Sequence, residues 1–180
     1  MVNTVSRKRL AAADRQRSQK YEYLLSTVFR WAIGLAVFAV ILLNVFTHVL
    51  QLVHYNGRGM EPGLKNGQTL LLVKTQKVKD GDTIAFYYNN QVLVRRVICQ
   101  GGSQLMIEED GSVIVNGQPL SEPYVKQASI GQCNITLPCY VPVNHVFVMG
   151  DQREIAMDSR LKEIGTIPLS RIIGKVIIAF

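Results

Sequence analysis

From Trp31 to Thr47 the chain contains no charged residue, and its apolar character continues to Val53 with His48 as the main interruption. That makes 23 residues, where about 20 suffice for a helix to cross the hydrocarbon core of a bilayer. A buried core helix would carry a polar face. This run offers only Asn44, Thr47, His48 and Gln51, so the reading is a membrane span over residues 30–53. It is too long, and starts too far into the chain, for the apolar region of a cleaved signal peptide, and no small-x-small site follows it. An uncleaved anchor is expected.

Charge gives the anchor an expected direction. Arg7, Lys8, Arg9, Arg15, Arg17, Lys20 and Arg30 stand against Asp14 and Glu22, so residues 1–30 carry +5 of the chain's net +7. By the positive-inside rule, residues 1–29 form a cytoplasmic basic tail and residues 54–180 an extracellular domain of a single-pass plasma-membrane protein. A basic tail also suits nucleic acid, but the adjoining span makes topology the simpler reading, and no nucleic-acid partner is expected. The bilayer is the first expected partner.

Beyond Tyr55 the texture changes to short strands and turns. Thr69–Lys74, Thr83–Tyr87, Val92–Ile98, Ser112–Val115, Val141–Met149 and Ile172–Phe180 read as strands. Asp80-Gly81, Asn89-Asn90, Asp110-Gly111 and Asn116-Gly117 read as turns between them. The fold class is therefore mainly β: one N-terminal transmembrane helix followed by an all-β outer domain. Cys133 and Cys139 are spaced to bridge a short loop, which would leave Cys99 alone; the spacing leaves both outcomes open. His48, His54 and His145 are scattered, so neither a metal site nor a cofactor is expected.

Three stretches stand out: Gly57-Arg-Gly-Met-Glu-Pro-Gly-Leu64, Val94-Arg-Arg-Val-Ile-Cys99 and Gly150-Asp-Gln-Arg-Glu-Ile-Ala-Met-Asp-Ser-Arg160. With the hairpin Val115-Asn-Gly-Gln-Pro-Leu-Ser-Glu-Pro-Tyr124, they resemble in order the boxes of the type I signal peptidase family over about residues 30–180. Members of that family cleave signal peptides from exported proteins, using a serine nucleophile and a neutral lysine as its base. The resemblance puts Gly59 at the nucleophile's position, Arg95 at the base's, and Ala156 where a serine orients the lysine. Glycine has nothing to attack with, and a guanidinium is not deprotonated in proteins. Cys99 could relocate the nucleophile, but it lies four strand positions from Arg95, roughly 13 Å away, and Ser103, Ser159 and His54 each lack an evident partner.

What matches the boxes is expected to remain as a frame. Pro62 reads as keeping the turn and its apolar contacts, and Arg96, Asp151, Arg153, Asp158 and Arg160 read as a structural ion-pair network. Gly57, Arg58, Met60, Val92, Leu93 and Val94 are candidates for peptide binding, with ordinary sheet core as the equal alternative for the three strand residues. The family includes members without a dyad that accompany surface-pilus genes in Gram-positive bacteria. The resemblance thus implies a chaperone or docking factor for an exported protein or pilin segment, working among other pilus-assembly proteins. An active peptidase and a structural subunit beside an active paralogue are the alternatives.

Overall fold

The computed structural model describes residues 3–180, with side chains described from residue 21 onward. It divides into two units, residues 1–47 and 48–180. The first is the helix α1 (Asn3–His48). Its stretch Tyr21–His48 is long and apolar enough to cross a membrane, as suits membrane anchoring. Polar groups in this stretch bond to their own helix: Thr27 Oγ1 donates to Tyr23 O, Asn44 Nδ2 to Val40 O, and Thr47 Oγ1 to Leu43 O. A helix with hydrocarbon around it must satisfy such groups internally.

One expected boundary moves. The end of the apolar run does not continue the helix; it forms β1 (Leu50–His54), with a half-buried, partly alternating pattern. Apolar content alone cannot separate a helix end from a half-buried strand. Here pairing decides: Leu50 to His54 lie in register against Val73 to Thr69.

The strands that follow are β2 (Thr69–Val73), β3 (Thr83–Tyr88), β4 (Gln91–Gln100), β5 (Gln104–Ile107), β6 (Val113–Val115), β7 (Gln118–Pro119), β8 (Cys139–Tyr140), β9 (His145–Met149), β10 (Ile167–Pro168) and β11 (Ile172–Ala179). They make a seven-stranded sheet in the order β1-β2-β11-β3-β4-β9-β10 and a four-stranded sheet in the order β7-β6-β5-β8. All pairings are antiparallel. Turn chemistry follows the sequence. Asn89 and Asn90 have φ of 44° and 60°, Asn116 and Gly117 of 52° and 77°, the left-handed pairs that close two-residue hairpins between twisted strands.

Three apolar clusters hold the outer unit. Tyr55, Met60, Leu64, Leu70, Leu72, Ala85 and Val94 lie together and anchor the loop after β1 onto the large sheet. A second cluster joins the end of β4 and β9 to the small sheet through Ile98, Cys99, Leu105, Phe147 and Met149. The third packs Ile84, Phe86, Val97, Val146 and Val148 against Ile164 and Ile167. The open bridge question resolves to free thiols at all three cysteines.

Candidate functional site

The loop carrying Gly57–Leu64 is held by its first residue. Tyr55 is buried, and its hydroxyl accepts a hydrogen bond from the Met60 amide at 3.1 Å. Gly57 has φ +152°, within the positive range that favours glycine, and its amide donates to Asn66 Oδ1. Met60 is fully buried, whereas Arg58 and Pro62 are exposed. These two line a cavity of about 580 Å³ with Glu61, Lys65, Asn66, Lys126 and Gln152.

This arrangement presents Gly59 to β4. A Cβ at Gly59 would lie 3.2 Å from Arg95 Cζ and Nη2 and 3.3 Å from Nη1. The Arg95 guanidinium therefore fills the space in front of Gly59. Two bonds pin it there: Nε donates to Met157 O at 2.9 Å and Nη1 to Val94 O at 2.6 Å. The residue is only 6% exposed. Burial lowers its pKa from the usual guanidinium value, and the chief opposing influence is the nearby Asp158 carboxylate.

Side chains alternate across a strand, so the next residue faces elsewhere. Arg96 makes a two-bond fork to Asp151, at 2.8 and 2.6 Å, and its guanidinium lies 4.0 Å from the centre of the Tyr124 ring. Arg160 and Asp158 are both fully buried and joined by two side-chain bonds, at 2.9 and 2.8 Å, and by the Arg160 amide; the remaining Arg160 side-chain donors reach backbone carbonyls, including Ile130 O. Asp158 also accepts from the Gly150 amide. Arg153 pairs with Glu122 and donates to Gly150 O. Gly150 itself permits the closest approach in the site: a Cβ there would sit 2.3 Å from Ala156 Cβ and 2.5 Å from Gly59 O. Gly59 O in turn accepts from the Gln152 amide.

The structure thus brings Gly59, Arg95, Ala156, Asp151 and Asp158 into one place, and spreads Arg58 and Pro62 to its exposed rim. Val92 and Leu93 are half-buried and Val94 is buried. These three pair with Tyr87, Phe86 and Ala85 of β3, while β9 meets β4 only from Arg96 onward. The segment Gln91–Arg95 is therefore both sheet core on one side and an open edge on the other. Cys99 is fully buried in the second apolar cluster, and its pKa is pushed up to about 12, chiefly by burial. Thiolate chemistry there is disfavoured. Sequence reasoning passed over Tyr55, Glu122, Tyr124 and the Met157 carbonyl. Glu122-Pro-Tyr124 was visible as a motif, but its long-range partners Arg153 and Arg96 were not.

The pattern of the family described as "Signal peptidase, peptidase S26" matches residues 28–180. The chain belongs to that family. It is 31% identical to "Signal peptidase I" of Bacillus licheniformis over 169 residues, 83% of this chain and 86% of that protein. It is also 31% identical to "Signal peptidase IB" of Staphylococcus aureus (strain COL) over 173 residues, 85% of this chain and 89% of that one. A crystal structure of a signal peptidase I from Enterococcus faecalis is similar with a TM-score of 0.48 at 28% identity, covering 57% of this chain and 97% of that one. By the family pattern and the two curated relatives, this chain is a signal peptidase I homologue, built of one N-terminal apolar helix and a β domain.

Proposed function

We propose that this signal peptidase homologue is non-catalytic and serves as a membrane-held docking factor for an extended segment of an exported protein, a pilin subunit in surface-pilus assembly. One observation carries the reading: the Arg95 guanidinium, pinned by two carbonyls, occupies the space against Gly59. Gly59 has no atom with which to attack a carbonyl. Arg95 cannot accept a proton, and burial does not hold a guanidinium neutral as it can an ammonium. The methyl group of Ala156 can orient nothing. Cys99 is packed away and protonated.

The open edge of β4 supports docking. An extended segment can add to such an edge through main-chain hydrogen bonds. The +5 charge of residues 1–30 supports a cytoplasmic N-terminus with the β domain outside. The role in pilus assembly rests on the resemblance to family members without a dyad. The names of the relatives favour a second reading, an active signal peptidase.

Incubating the full chain in detergent with a labelled signal-peptide substrate decides between the two. The natural chain is expected to give no product, and the Gly59→Ser/Arg95→Lys/Ala156→Ser variant to recover cleavage. Turnover by the natural chain, abolished by a single substitution such as Cys99→Ala, would overturn the non-catalytic reading.

A further inference from the structure

The hydrogen-bond pattern of β4 gives Arg95 a second property. Val97 donates to Asp82 O and accepts from the Gly81 amide, so its main chain faces the β3 side. Main-chain direction alternates along an antiparallel strand. The amide and carbonyl groups of Val94 and Val92 therefore face away from β3, beyond the end of β9. Arg95 Nη1 takes the Val94 carbonyl, the place that a paired strand's N–H would hold. The guanidinium consequently lies in line with the ladder and closes the slot next to Met149, the last residue of β9, which pairs with Arg96.

Its charge is incompletely matched. Arg96, Arg153 and Arg160 each have a carboxylate within 4.0 Å, whereas among the described residues none reaches Arg95. Its hydrogen bonds come from Nε and Nη1, leaving Nη2 with donors to spare. A nearly buried cation with free donors favours an anion, and a carboxylate matches its planar fork.

We propose that Arg95 reads the C-terminal carboxylate of an extended peptide seated along Gln91–Val94. The proposal rests on the docking reading above and names its ligand. A strand added to this edge parallel to β4 must stop short of Met149, the last residue of β9, and its terminal carboxylate then meets the guanidinium in the plane of the sheet. An antiparallel strand would bring an ammonium group there instead. An internal Asp or Glu side chain stands out of that plane and misses it.

The test uses the full natural chain in detergent and a short fluorescein-labelled peptide of alanine, valine and threonine, followed by anisotropy. The peptide is supplied as the free acid, as the C-terminal amide, and as an amide with one internal aspartate. The free acid is expected to bind about tenfold or more tightly than the amide, a preference falling below about twofold in Arg95→Gln. Arg95→Lys, which keeps the charge without the fork, should fall between. Equal binding of acid and amide would overturn the carboxylate proposal and leave docking standing. An aspartate amide as tight as the acid, or discrimination persisting in Arg95→Gln, would overturn it too. No binding of any peptide would remove the docking reading, and this proposal with it.

Discussion

Arg160 and Arg95 are both nearly excluded from solvent, and the chain treats them in opposite ways. Arg160 is saturated by the two bonds to Asp158 and by backbone carbonyls. Arg95 is held by two carbonyls and keeps an unused nitrogen. The first arrangement serves the fold: it ties Gly150 and the 150–160 segment together through Asp158. The second ties β4 to the same segment through the Met157 carbonyl, by neutral acceptors alone. Among the described residues the buried side-chain atom without a partner is Arg153 Nη1, so the unused Arg95 nitrogen is not sealed in and can meet a binding partner.

The comparison breaks most visibly if Asp158 is removed. Asp158→Ala leaves Arg160 buried without its counter-charge, and a loss of about 3–5 kcal/mol is expected, read as a large fall in the thermal midpoint of the detergent-solubilised chain. Arg95→Gln should move that midpoint far less. An equal fall would show that both arginines serve the fold.

A second test probes the close approach at Gly150. Gly150→Ala places a methyl group against Ala156 and the Gly59 carbonyl, and a loss of about 1–3 kcal/mol is expected from overpacking. Chemical denaturation measures it. A neutral result would mean that the 150–160 segment can move freely away from the Gly59 loop.

The contrast sharpens with a double-mutant cycle. Gly59→Ser is expected to cost about 1 kcal/mol through contact with the pinned guanidinium, and Arg95→Lys to relieve most of it, giving a coupling of similar size. Additive single effects would place the serine elsewhere.

The smallest effect concerns Cys99. Its folded pKa is raised from 9.0 to about 12, so the neutral thiol contributes stability that is present below pH 9 and is lost as pH rises through about 12. Near pH 9, iodoacetamide should label the half-buried Cys133 and spare Cys99 in the folded chain. Mass spectrometry of the alkylated protein reads the difference.

How far the sequence carried depends on the range of the interaction. The helix and the turns were legible because each is set by neighbours: an uncharged run, or an Asn-Gly pair at left-handed φ. The helix end was not, because Leu50, Leu52 and Val53 suit either state and only pairing with β2 chooses. At the site, the residue types were legible and their disposition was not. Arg95 and Arg96 are adjacent in sequence, yet one meets Gly59 and the other Asp151. Strand alternation predicts opposite faces, but not which face holds the carboxylate. Likewise, no spacing announces that Met157 supplies the carbonyl for Arg95.

The tight fit between Gly59 and the guanidinium also orders the routes by which such a site can change. A serine introduced first must enter space that a pinned side chain already fills, so its bearer is strained before it gains anything. A lysine introduced first meets only a glycine and passes unopposed. Any stepwise path from this arrangement toward a serine–lysine pair therefore runs through position 95 before position 59, and a lineage that has acquired both replacements returns most easily in that order.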